Sequence, residues 1–158
     1  MFDTLADVPP TVVALSLVST ALLGVAFAAQ PSPPPRADAL AATVDGVAAA
    51  DAPSVATRRV DADAVRVSTR AVAVREGATT TRSRFAYSEH GVVPVRRGTA
   101  LWRVLRGVPP DDAFDGPLAF ARAAVDARQR DHAWRHDPGR LTVRRVTWRG
   151  VDVTLVGA

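Results

Sequence analysis

Residues 11–29 (TVVALSLVSTALLGVAFAA) form an uncharged run in which Thr and Ser are the only polar side chains. At 1.5 Å per residue a helix over this run spans about 28 Å, close to the hydrocarbon thickness of a bilayer. A helix of a soluble protein this long would carry a charged face. The run therefore predicts a transmembrane anchor, preceded by a tail over residues 1–10. Pro9 and Pro10 stand where a helix can begin, and PSPPP at 31–35 ends it inside a stiff spacer over residues 30–36. A cleaved signal peptide is the competing reading, because Ala26-Phe27-Ala28 has the A-x-A form of a cleavage site. Residues 1–10 hold Asp3 and Asp7 and no basic residue, which favours the uncleaved anchor.

Beyond the spacer, residues 37–158 show the mixed periodicities of a small α+β domain. Leu40, Val44 and Val47 recur at helical spacing and predict a helix over 37–50, with Asp38 near its positive end. Residues 58–87 alternate as strands do, with Val65 and Val67, then Val72 and Val74, then Phe85 and Tyr87 sharing faces. Glu76-Gly77 predicts a tight turn between them. Val92, Val93 and Val95 surround Pro94, the pattern of an edge strand or of no strand. Leu101, Trp102, Val104 and Leu105 fit a short helix or a buried strand. Asp115 before Gly116-Pro117 predicts a helix start, and the helix over 117–131 would present Leu118, Ala121, Ala124, Val125 and Arg128 along one side.

The end of the chain carries the sharpest pattern. A two-residue loop at Arg149-Gly150 opposes Trp148 to Val151 and Val146 to Val153, so that all four share one face of a hairpin. Leu141 and Val143 are out of phase with Val146. A β-bulge at Arg144-Arg145 would restore them and set Val143 opposite Leu155. Helix, strands, helix and hairpin in this order predict an antiparallel sheet packed by two helices.

Composition changes this picture in two ways. All 20 basic side chains are Arg, against 16 acids, giving a net charge of +4 and a pI of about 11.1. Arginine forks onto carboxylates and phosphates, so an anionic partner is a candidate: lipid headgroup, nucleic acid or acidic protein. Three doublets, Arg58-Arg59, Arg96-Arg97 and Arg144-Arg145, are the candidate contacts, and nucleic acid is the least favoured partner because no nucleic-acid motif is present. There is no Cys, which removes disulfides, thiolate metal sites and thiol nucleophiles.

Motifs for catalysis are absent: no phosphate loop and no nucleophile elbow. His132 and His136 are four apart and could begin a metal site on a helix, but they lack a specified third ligand. Asp61 with Asp63, and Asp111 with Asp112, are paired carboxylates among turn-forming residues, where capping is their ordinary role. The expectation is therefore no catalytic residue, no metal and no cofactor.

The short N-terminal span, the proline spacer, PPDDAFDGPLAFARAA at 109–124 and the ending RLTVRRVTWRGVDVTLVG at 140–157 resemble an uncharacterised family of haloarchaeal membrane-anchored proteins. The resemblance covers most of the chain. It implies an accessory, pilin-like role beside archaeal type IV pilus-like or secretion machinery, and it brings no catalytic residues. Together these features predict a non-enzymatic, single-pass membrane protein with a protein partner. Arg36 on the C-terminal side of the span favours a cytoplasmic domain. The resemblance and the A-x-A pattern tilt the expectation to the outside.

Overall fold

The structure, a computed structural model, describes residues 36–51, 53–87 and 91–158. The described residues belong to one compact unit. The predicted anchor, the tail and all of the spacer but Arg36 lie outside the described residues. Among the described residues no helix is long and apolar enough to cross a membrane.

Helix α1 (Arg36–Ala48) follows the helical spacing, and buries Ala37, Leu40, Ala41, Val44 and Val47. Strands β1 (Val55–Val60), β2 (Ala64–Val67), β3 (Ala71–Glu76) and β4 (Thr79–Arg84) come next, then the short β5 (Val92–Pro94). Three helices follow: α2 (Ala100–Leu105), capped by the Thr99 hydroxyl, α3 (Pro110–Ala113) and α4 (Pro117–Gln129). Strands β6 (Arg135–His136), β7 (Gly139–Trp148) and β8 (Val151–Gly157) complete the order.

The strands divide between two four-stranded sheets where one was expected. The first sheet has the order β1-β7-β8-β5 and the second β4-β3-β2-β6. Pairing is antiparallel except between β5 and β8, which run parallel. Strand β5 sits at the edge of its sheet, where Pro94 costs no ladder bond on a neighbouring strand.

The hairpin forms in the expected register, with Trp148 opposite Val151 and Val146 opposite Val153. Arg149 and Gly150 take φ of +46° and +85°, the left-handed pair of a type I′ turn. The bulge does not form. Val143 pairs with Val156 rather than Leu155, and the ladder runs on without interruption. The phase change along β7 has another cause: both faces of the first sheet are covered. Leu141, Val143 and Val156 enter a core with α1, Val65, Val72, Val74 and Phe85 of the second sheet's region. Val146, Val153 and Leu155 enter a separate core with Leu101, Val104, Leu105, Phe120 and Ala124 of α2 and α4.

Helix α1 lies between the two sheets, touching β3 and β4 on one side and β1, β7 and β8 on the other. Its exposed positions are confined to Arg36, Asp38, Ala42 and Gly46. In the outer core Phe120 packs edge-on against Phe114 at 5.3 Å and Trp148 at 5.9 Å. Helix α4 buries Phe120, Ala124 and Ala127, while Leu118 and Val125 remain exposed. Its inward face is thus rotated from the one that the larger aliphatic residues suggested.

A core with α1 between two sheets makes a definite demand on stability. Leu141→Ala, at a site fully buried in the described fold, lowers the unfolding free energy by about 2–5 kcal/mol. Val55→Ala on exposed β1 changes it by less than about 0.5 kcal/mol. Urea unfolding of both variants measures the difference; equal effects would contradict the two-sheet core.

Candidate anion-binding face

The three arginine doublets do not assemble into one surface. Arg58 and Arg59 lie on β1 at one edge of the first sheet, and Arg96 and Arg97 follow β5 at the opposite edge. Arg96 donates through Nη2 to the Asp131 carbonyl at 2.9 Å, and the Arg97 guanidinium stacks 5.6 Å from the Trp102 ring centre.

Arg144 and Arg145 have structural work on the two faces of β7. Arg144 Nε donates to the Leu105 carbonyl at 3.1 Å, at the C-terminal end of α2. Arg145 Nη1 donates to the carbonyls of Ala48, at 3.2 Å, and Ala50, at the C-terminal end of α1. Helix α1 has no basic residue in its own last turn, so this distant guanidinium supplies the cation that its carbonyls favour. Asp152 holds Arg145 from the other side, with Oδ2 accepting from Nη2 at 2.6 Å and Oδ1 from Nε at 3.2 Å. The hydrogen bond to Asp152 raises the Arg145 pKa above its ordinary value, against a lowering by burial. Arg128 on α4 donates through Nη2 to the Gly91 carbonyl at 3.0 Å, and burial lowers its pKa.

A different set of arginines converges on the second sheet. In the ladder Arg66, Ala73 and Arg82 form one row across β2, β3 and β4, while Ala64, Arg75 and Thr80 form the next. Arg84 stands opposite Ala71. Strand alternation turns all of these to the face opposite Val65, Val72 and Val74, which are in the core. Ala73 is thus flanked by Arg66 and Arg82 and followed along its own strand by Arg75. Among the described residues, Arg66, Arg75, Arg82 and Arg84 form no ion pair.

Trp134, just before β6, lies on this face with the guanidinium carbons of Arg66 and Arg75 at 4.7 and 4.2 Å from its ring centre. The face forms a cleft of about 450 Å³ whose floor is Ala71 and Ala73 and whose walls include Arg66, Arg82, Asp131 and His132. His132 Nε2 is buried without a hydrogen-bond partner. Two or three guanidiniums around a small residue can hold a carboxylate or phosphate by charge-assisted, bidentate hydrogen bonds.

The remaining candidates have other placements. His132 lies in the connection after α4 and His136 on β6, so their spacing is not helical. Among the described residues no group of three or more His, Asp or Glu side chains is placed to hold a metal. Asp63 Oδ2 accepts from Gly77 N at 2.6 Å, tying the β1–β2 connection to the β3–β4 turn. Arg36 bridges Asp61 and Glu76, with its shorter contact to Glu76 Oε1 at 3.0 Å. Asp111 and Asp112 fall in the first turn of α3.

The doublets are adjacent in sequence, yet adjacent strand residues point to opposite faces. The useful signal was Arg82 and Arg84, two apart in TTTRSR, together with the hairpin that aligns them with Ala73 and Ala71.

Trp134 ties the connection after α4 to the second sheet through two cation–π contacts, each worth about 0.5–1 kcal/mol. Trp134→Leu should therefore ease local opening of residues 130–136 by about 1–2 kcal/mol. Hydrogen exchange of those amides reads it, and unchanged protection would mean that the stacking contributes nothing.

Comparison with curated proteins and with solved structures gives no match. A pattern defined for a family of unknown function, DUF7283, matches residues 3–146. The match takes in the apolar segment, α1, both sheets' first strands and most of β7, so the chain belongs to the DUF7283 family of unknown function.

Proposed function

We propose that the chain is a non-enzymatic, membrane-tethered interaction protein whose second sheet holds an anionic group of a partner over Ala73. The carrying observation is the cluster of Arg66, Arg75, Arg82 and Arg84 on one face with no ion pair among the described residues. Six of the other arginines are committed within the fold. Those at 36, 96, 103, 128, 144 and 145 donate to main-chain carbonyls, and Arg36 and Arg145 also pair with acids. A cluster left without such partners is electrostatically strained until an anion arrives.

The tether rests on the uncharged run at 11–29 and the proline spacer. The resemblance to membrane-anchored haloarchaeal proteins supports an accessory place beside a pilus-like or secretion assembly, with the domain outside. The partner in that setting is an acidic protein segment. Anionic lipid is the alternative source of the same charge.

Binding of the full chain to heparin, as a polyanion probe, weakens steeply with NaCl. For Arg82→Gln/Arg84→Gln the plot of log affinity against log salt flattens by about two, one for each lost guanidinium. Arg58→Gln/Arg59→Gln, with the same loss of charge on the other sheet, leaves a steeper slope. Equal slopes for the two variants would reduce the cluster to general basicity. The tether has its own test. The full chain fractionates with membranes and is released by deletion of residues 11–29, and Ala78→Cys, exposed in the β3–β4 turn, is labelled in intact cells by an impermeant thiol reagent. Labelling only after lysis would place the domain in the cytoplasm.

A further inference from the structure

The connection from Arg130 to Arg135 has a second hollow on its other side. It is a cleft of about 600 Å³ between the end of α4, the residues after β5, the end of β8 and the inner side of β2. Its floor takes Val65 and Val156 from the core around α1, and Val95, Leu101 and Ala127 from the core around α4. The hollow therefore opens where the two cores meet. The apolar floor of this open cleft is wetted in the free protein, and a bound apolar body would remove that surface from water. Its volume lies within the range of about 300–1,000 Å³ that takes small organic ligands.

The rim is cationic. Arg96, Arg130 and Arg135 border the cleft, with Asp131 as the carboxylate among them. Arg96 is fastened to the Asp131 carbonyl, which fixes both the arginine and the connection. Arg130 and Arg135 have no ion pair among the described residues. The Thr99 hydroxyl is already engaged, donating to the Arg96 carbonyl at 2.8 Å and accepting from Trp102 N at 3.2 Å. His132 lines this cleft as well as the one on the second sheet, and its buried Nε2 has no partner. An unsatisfied buried nitrogen is rare and calls for a partner that the polypeptide does not supply.

We infer that this cleft binds a small organic anion, its apolar body against Val65, Val95 and Leu101 and its carboxylate or phosphate monoester at Arg130 and Arg135. The apolar floor selects against inorganic phosphate, and the arginines select against neutral molecules of the same shape. The site is separate from the arginine cluster of the second sheet and does not depend on it.

The test uses the full chain in nanodiscs of zwitterionic lipid, with empty nanodiscs subtracted, and isothermal titration calorimetry. The probes are 1-naphthyl phosphate, 1-naphthoate and the neutral 1-naphthol. Both anions, or one of them, should saturate a single site at least about tenfold more tightly than 1-naphthol. Binding of the phosphate alone would assign a phosphate monoester, and of the carboxylate alone a carboxylic acid. Arg130→Gln/Arg135→Gln should weaken the anions about tenfold or more and leave 1-naphthol unchanged. Ala123→Phe, placed from the half-buried wall of α4 into the cleft, should weaken all three. No saturable binding of any probe, equal affinity for anions and 1-naphthol, or full anion affinity in the glutamine variant would each overturn the inference.

Discussion

Arg145 ties three separate elements of the fold together through one side chain. Its guanidinium donates to the carbonyls that close α1 and to the carboxylate of Asp152 on β8. Through it the helix between the sheets, the central strand and its hairpin partner are held by one planar group. That arrangement is possible only because β7 is covered on both faces. The odd-numbered residues from 141 to 145 serve the core with α1, and the even-numbered ones from 144 to 148 serve the helices beyond. A charged doublet in such a strand must find partners within the fold on both sides, since a buried unpaired charge is very costly. The two helix ends provide them.

The same logic sorts the remaining arginines. In a chain with no lysine, guanidiniums do work that ammonium groups share elsewhere, and a planar fork suits main-chain carbonyls at helix ends and turns. Those arginines belong to the architecture. The cluster around Ala73 and the pair Arg130 and Arg135 differ because they form no ion pair among the described residues, with Asp131 in the wall of both clefts. Both groups border the connection from α4 to β6. That connection, pinned by Trp134 to the second sheet and by Arg96 to the first, brings the two clefts side by side with His132 between them.

What the sequence revealed depended on whether a pattern was local. The spacing of Leu40, Val44 and Val47 located α1 within two residues, and Arg149-Gly150 fixed the hairpin because the turn itself demands left-handed residues. Pro94 leaves an edge strand or no strand open, and β5 forms as an edge strand. The second sheet was hidden because strand pairing is decided between distant segments. The phase change in β7 implies a bulge only for a sheet with one buried face, and this sheet buries both. Helix α4 was turned the wrong way because its inward side is mostly alanine, whose hydrophobic signal is weaker than that of exposed Leu118 and Val125. The arginine face is legible only when period two is followed through the arginines between the valines, Arg66, Arg75, Arg82 and Arg84.

The parallel pairing of β5 with β8 has a kinetic consequence. Val92 meets Thr154 across about sixty residues of chain, and Val55 meets Arg144 across about ninety. Loop-closure entropy for such distant contacts must be met before either pairing contributes stability, so high contact order predicts slow folding for a domain of this size. Strand β8 is the last described element and lies between β7 and β5. During synthesis β1 and β5 therefore wait with open edges, exposed to wrong partners, until the final hairpin emerges and inserts.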